Sequence, residues 1–254
     1  MSDDPQNSPL PGPAPDPGDA EVPAGLVSSV VSLVQTGPVL LGAYTIAELT
    51  VVDAIVDFLE ARPPDEVLAE AVCSLAARQL LVAGSTAEQV QVRGDLGIAV
   101  ALQRRARTVL DARATGTTPG EPWRILLLPQ PEAVCLMVRI DALGIHQIGL
   151  YKLGEGLRAL TDWLPRGPSA DPDPGLDPEA VLASPERSAL VTVTHYTAEG
   201  SAEVAGTSTD LVLARQNGRL HVFARDPHDR DRLVPGPPDD RDVKERLADL
   251  LAAA

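Results

Sequence analysis

Two stretches of this chain repeat one order of parts. Each runs apolar strand, loop, strand, tight turn, strand, and then a short amphipathic helix. The first extends from Trp123 to Leu164 and the second from Ser188 to Leu251. A duplicated β-β-β-α unit predicts an α+β protein whose two copies share one antiparallel sheet with a pseudo-two-fold axis. Strands joined by tight turns pair antiparallel, and each copy has an apolar sheet face that its own helix can cover.

Within the first unit, Arg124–Leu128 is nearly all apolar, as expected of a buried central strand. Pro129-Gln130-Pro131 turns the chain into the β-branched run Ala133–Ile140, and Asp141–Gly144 reads as a hairpin turn into His146–Leu153. Leu153, Leu157, Leu160 and Trp163 recur at helical spacing, and Pro165 ends that helix. In the second unit Val191, Val193 and His195 share a strand face. Asn217-Gly218 lies between Leu211–Gln216 and Arg219–Ala224, and both residues tolerate the positive φ of a type I′ hairpin. Asp239 or Asp240 is placed to cap a last helix with Val243, Leu247, Leu250 and Leu251 inward. Aromatic residues make up only 3% of the chain, so this core must be built from Val, Leu, Ile and Ala.

Residues 1–23 are rich in Pro, Gly, Asp and Ser, with almost nothing apolar before Val22. Burial there cannot offset the entropy of ordering, which predicts a disordered tail, and the stretch lacks the pattern of a signal peptide. Residues 24–114 read as a helical, winged-helix-like part. Ala24–Leu41 suits a helix through Leu26, Val30 and Val34, and suits a strand equally, until Gly37-Pro38. Thr45-Ile46-Ala47-Glu48 has the form of a capping box, followed by Leu49, Val52, Val56 and Leu59 on one helical face. Pro63-Pro64 stops that helix. Asp65 is placed to cap the next, with Leu68, Val72 and Leu75 inward. Leu80–Val82 and Gln89–Val92 predict a hairpin, and two helices before a hairpin follow the order of a winged helix. A third helix is predicted from Asp95 as cap through Leu96 to about Ala112, with Leu102, Ala106 and Val109 on its apolar face. After the linker Thr115–Pro122, residues 121–165 hold the first unit. Residues 166–185 form an acidic, Pro-rich connector with a single helical turn at Pro178–Leu182, and 186–254 hold the second unit.

The net charge of −15 argues against broad binding to nucleic acid or anionic membranes. No apolar stretch is long enough to span a bilayer, which predicts a cytoplasmic protein. His146, His195, His221 and His228 lie in four separate places without metal-ligand spacing or a partnered base. Cys73 and Cys135 form no CxxC and are expected to be small buried hydrophobes. Gly94-Asp95-Leu96-Gly97 lacks the lysine of a phosphate loop, and Gly154-Glu155-Gly156 fits a helix start. Asp65-Glu66 and Asp239-Asp240 fit helix N-termini, while Asp171, Asp173 and Asp177 lack the order of a calcium loop. Arg104, Arg105 and Arg107, with Arg113 beyond, make the one basic cluster. Asp53, Asp57, Glu60, Glu66 and Glu70 on the preceding helices would repel DNA, and are expected to pair with these arginines. No catalytic, cofactor-binding or metal-binding residue is assigned on these grounds, and no cofactor is expected. The expected partner is a protein, whose contact residues the sequence does not name; oligomeric state stays open.

Several segments together resemble a known family. They are Thr45-Ile-Ala-Glu-Leu49, Ser74-Leu-Ala-Ala-Arg-Gln-Leu-Leu81, the helix Leu157–Leu164 closed by Pro165, Thr209–Leu220, and Leu233-Val-Pro235 before the last helix. Their order over about Tyr44 to Leu251 is similar to the EspG family of type VII (ESX) secretion-associated proteins of actinobacteria. Gln79 stands where the family pattern has glycine. The resemblance implies a pseudo-two-fold α/β fold without catalysis. It also implies a cytosolic chaperone or adaptor that shields helical PE–PPE-type export substrates. The residues themselves leave two alternatives: a winged-helix regulatory or nucleic-acid-binding protein read through Ala43–Val92, and an enzyme whose site is not recognised.

Overall fold

The computed structural model describes residues 23–54, 62–84, 90–170, 176–199, 202–226, 228–229, 232–236 and 243–252. Of the tail expected at 1–23, residues 1–22 lie outside these residues, as do Val56, Asp57, Leu59, Glu60, Asp171, Asp173, Asp239 and Asp240.

The chain opens with helix α1 (Ala24–Val34), strand β1 (Val39–Tyr44) and helices α2 (Ile46–Val51) and α3 (Asp65–Ala77). The hairpin β2 (Leu81–Ala83) and β3 (Val90–Val92), helix α4 (Gly94–Arg105) and strand β4 (Thr108–Thr115) come next. Strands β5 (Arg124–Pro129), β6 (Val134–Ile140) and β7 (His146–Lys152) lead into α5 (Leu153–Trp163). After the short α6 (Pro178–Ala183) come β8 (Arg187–Glu199), β9 (Ala202–Gln216), β10 (Arg219–Arg225), β11 (Leu233–Pro235) and α7 (Val243–Ala252). The protein is α+β, built on one nine-stranded sheet in the order β1-β7-β6-β5-β4-β8-β9-β10-β11. Every strand pair in it is antiparallel.

The expected third helix is half right. Helix α4 ends at Arg105, Ala106 is extended (ψ 126°), and Thr108–Thr115 is a strand. Leu102, Ala106 and Val109 fit a helical stripe. From Thr108 onward, however, Leu110, Ala112 and Ala114 alternate with Val109, Asp111 and Arg113, which is a strand pattern. The strand matters for the architecture. The two β-β-β-α stretches do not meet directly: β4 lies between β5 and β8 and pairs with both.

Alternation then distributes the core. Leu110, Leu127, Met137, Val191, Val193 and Leu213 pack on one sheet face beneath Leu157 and Leu160 of α5 and Leu247 of α7. On the opposite face Leu126, Leu136, Val138, Ile148 and Leu150 meet Val30 and Val34 of α1, Leu49 of α2 and Leu96 and Leu102 of α4. Each fully buried aliphatic side chain contributes roughly 1.5–3 kcal/mol through removal from water. A smaller cluster sets Val181 of α6 on Ala214 and Phe223. Gly156 lets α5 approach closely: a Cβ there would lie 2.5 Å from Cys135 Sγ and 3.1 Å from Leu127 Cδ1. Packing, rather than helix-start geometry, fixes that glycine.

The N-terminal helices are held by one carboxylate. Thr45 and Glu48 form the expected capping box on α2, with Glu48 N donating to Thr45 Oγ1 and Thr45 N to Glu48 Oε2. Glu48 Oε1 also accepts from Ser74 Oγ of α3 at 2.8 Å and from Nη1 of Arg78, the residue that ends α3, at 3.0 Å. Helix α2 is shorter than expected. Asp53 (φ 52°) stands in the left-handed region, with Ala54 N bonded to Leu49 O and Asp53 N to Thr50 O, which closes the helix. On α3, Pro64 rather than Asp65 is the N-cap. Its buried face is Leu68, Ala71 and Leu75, while Val72 is 43% exposed. Ala24–Leu41, ambiguous in sequence, divides into a helix and a strand.

The three hairpin expectations hold, with β6 pairing β7 across the Asp141–Gly144 turn. Leu81–Ala83 pairs with Val90–Val92. Asn217 (φ 51°) and Gly218 (φ 72°) both adopt the positive φ of a type I′ turn between β9 and β10.

Candidate functional site

The face of the sheet beneath α5 and α7 is apolar across its middle strands. The same alternation puts polar side chains on the other face of β4, β8 and β9, as in antiparallel sheets with one solvated face. One row of three residues crosses these strands in register, with Asp111 opposite Thr192 and Thr192 opposite Asp210.

Each end of the row is closed by arginine. Arg124 of β5 donates to Asp111 through Nε to Oδ1 and Nη2 to Oδ2, both at 2.8 Å, and Arg113 Nη2 reaches Oδ2 at 2.8 Å. At the far end Thr192 Oγ1 donates to Asp210 Oδ1 at 2.7 Å, and Arg225 of β10 pairs with Asp210 Oδ2. Arg124 and Asp111 are buried; Thr192 and Thr194 are half-buried, and Arg113 and Ser208 are exposed. The row therefore runs from a buried ion pair out to solvent. Thr194 and Ser208 sit in register beside it.

This arrangement places charge-paired donors and acceptors in register across the central strands. Both of its carboxylates accept charge-assisted hydrogen bonds from guanidinium groups.

The histidines are placed elsewhere. His146 Nδ1 lies 2.9 Å from Gly144 O, and burial holds its pKa below the ordinary imidazole value. His195 sits between Thr108 Oγ1 (3.1 Å, from Nδ1) and Leu250 O (3.1 Å, from Nε2), tying β8 to α7. His221 stacks on Phe223 with ring centroids 6.2 Å apart, and His228 is exposed. Among the described residues no group of His, Cys, Asp and Glu could hold a metal ion. Cys135 is buried, and burial pushes its thiol pKa up to about 12, whereas Cys73 is exposed, contrary to expectation. Both are free thiols.

The arginine cluster does not form one helical face. Arg104 and Arg105 lie in the last turn of α4, and Arg113 lies on β4. Arg105 pairs with Glu132, in the turn between β5 and β6, and Arg113 with Asp111; neither acid was among those expected. Glu66 is exposed in the first turn of α3, and Asp177 caps α6 by accepting from Glu179 N at 3.0 Å. Gly94 begins α4 with φ 60°, and Gly97 packs close to Val92 O.

Sequence reading named none of the Asp111–Thr192–Asp210 row. Its signal was present in the alternations Asp111/Arg113 and Thr192/Thr194. Their joining depends on register between strands far apart in the chain, and β4 was read as helix. No protein-family model matches this chain, and no curated protein matches it. Among the described residues no helix is long and apolar enough to cross a membrane.

Proposed function

We propose that this protein is a non-enzymatic adaptor or chaperone that docks a helical protein partner in the cytoplasm, of the EspG-like kind associated with type VII secretion. One observation carries the reading: the polar row Asp111–Thr192–Asp210 is prearranged by its ion pairs and hydrogen bonds, and it runs from the buried Asp111 to the half-buried Thr192 and Asp210 on the central strands. Such a surface needs little ordering when a partner arrives, which favours specific recognition.

The pseudo-two-fold arrangement belongs to the same proposal. Strands β4–β7 with α5, and β8–β11 with α7, are taken as two copies of a β-β-β-β-α unit related by an axis through the β4–β8 pair. The strand order on either side of that pair supports this. The network joining Thr45 and Glu48 to Ser74 and Arg78 adds support, since it couples two segments that resemble the EspG family.

The order α2, α3, β2, β3 also supports a winged-helix-like N-terminal part. Duplex binding through it is the weaker reading, because Arg105 is committed to Glu132 in a chain of net charge −15.

Affinity purification of the full chain from its native cytosol tests the proposal. A helical export substrate should co-purify in a stoichiometric complex. Recovery of no such protein, in a host that encodes them, would overturn the adaptor reading, and salt-sensitive duplex binding would replace it.

A further inference from the structure

The hairpin between β9 and β10 turns on Asn217-Gly218, and Asn217 is exposed. In an asparagine–glycine pair the following backbone nitrogen can attack the side-chain amide with little hindrance, because glycine has no Cβ. The chain has one other asparagine, Asn7, and Ser8 follows it.

The turn opposes that attack. In a type I′ turn the 217–218 peptide plane is fixed by positive φ at both central residues, here 51° and 72°. Gly218 N also donates to Glu186 Oε1 at 2.9 Å, and Glu186 Oε2 pairs with Arg215 Nε at 2.9 Å. The backbone of Glu186 is tied to the same strand, since its N donates to Arg215 O at 2.8 Å. A carboxylate therefore holds the nucleophilic nitrogen. To reach Asn217 Cγ, the peptide must rotate and break that bond.

The chain beyond α5 leans on the same turn. Leu220 N donates to Pro168 O, Ala170 N to Leu220 O, and Arg219 Nη1 to Ser169 O. Gly167 passes so close that a Cβ there would lie 2.9 Å from Gly218 O. A change in the backbone of the turn therefore reaches residues 167–170.

We infer that Asn217 is a site of spontaneous deamidation guarded by Glu186, and that its conversion to isoaspartate releases residues 167–170 from β10. The Gly218 nitrogen gives its proton to solvent and bonds to Asn217 Cγ, and the side-chain nitrogen leaves as ammonia. Water then opens the resulting succinimide at one carbonyl or the other, giving aspartate or isoaspartate. Isoaspartate puts an extra methylene into the backbone, which a two-residue turn does not accommodate. It also adds a negative charge beside Glu186, whose carboxylate repels it.

The test incubates the full chain at mildly alkaline pH, folded and in urea, and follows Asn217 by peptide mapping with an isoaspartate assay. Deamidation is expected to be slower in the folded chain than in urea. Glu186→Ala should speed it about fivefold in the folded chain, the factor expected for loss of one hydrogen bond. Glu186→Gln retains an acceptor and should speed it less. Glu186 is exposed, so both variants are expected to keep the fold, which their urea midpoints check. In chain purified after modification, the Ala170 and Leu220 amides should lose protection from hydrogen exchange. Equal deamidation rates in the folded chain and in urea would overturn the inference, as would a folded Glu186→Ala chain that reacts no faster. Unchanged exchange at Ala170 and Leu220 would overturn the release of residues 167–170.

Discussion

Arg124 and Asp111 are joined across β5 and β4 by two parallel N–H···O bonds of 2.8 Å, with both residues buried. Removing either partner breaks this buried charge-assisted pair, although Arg113 still reaches Asp111 Oδ2. Arg124→Leu and Asp111→Ala are each expected to lower stability by about 3 kcal/mol, and the double variant by less than their sum. Urea unfolding of the four proteins measures this coupling. Additive losses would show that the pair does not act as a unit.

Gln79 holds a left-handed backbone (φ 58°) at the end of α3. The helix closes there through Leu80 N to Leu75 O and Gln79 N to Ala76 O, both at 2.9 Å. This geometry favours glycine, because a Cβ crowds the carbonyl in left-handed backbone. Gln79→Gly should therefore raise stability by about 0.5–1 kcal/mol, read as a higher unfolding midpoint in urea. A lower midpoint would contradict the strain argument.

Gly156 and Cys135 are in mutual contact between α5 and β6. Gly156→Ala should cost about 1–3 kcal/mol through overpacking, despite the better helix propensity of alanine. Adding Cys135→Ala should recover part of that loss by opening space for the new methyl. Thermal melts of the single and double variants decide the matter, and an unaffected Gly156→Ala protein would show that α5 shifts freely.

His146 links stability to pH. Burial holds its folded-state pKa below the ordinary value, so the unfolded chain binds its proton more readily. Its contribution is intact above about pH 6.5 and is lost as pH falls through the ordinary pKa toward the depressed one. His146→Gln should flatten the stability profile in that window, measured by urea unfolding between about pH 7 and about pH 5. An unchanged slope would assign the pH dependence to other groups.

Local signals in this sequence were reliable where one residue fixes the backbone. The Thr45–Glu48 box and the Asn217-Gly218 turn were legible because their chemistry is contained within a few residues. Strand β4 was misread because Leu102, Ala106 and Val109 satisfy a helical period that runs through the extended residue Ala106. That misreading hid the polar row. Asp111, Thr192 and Asp210 are far apart in sequence and meet only through strand register. The end of α2 at Asp53 carried no glycine to announce it. The role of Gly156 could not be read either, since its partner Cys135 lies on another element.

The most direct measurement is calorimetric titration of the full chain with the helical partner recovered from its cytosol, repeated with Thr192→Arg. Thr192 is half-buried at the middle of the polar row, so an arginine there obstructs docking and crowds Arg113 and Arg225. Saturable binding by the wild type, weakened at least about tenfold in the folded variant, is the predicted result. Equal binding by both proteins, or no binding by the wild type, would contradict the assignment of this surface as a docking site.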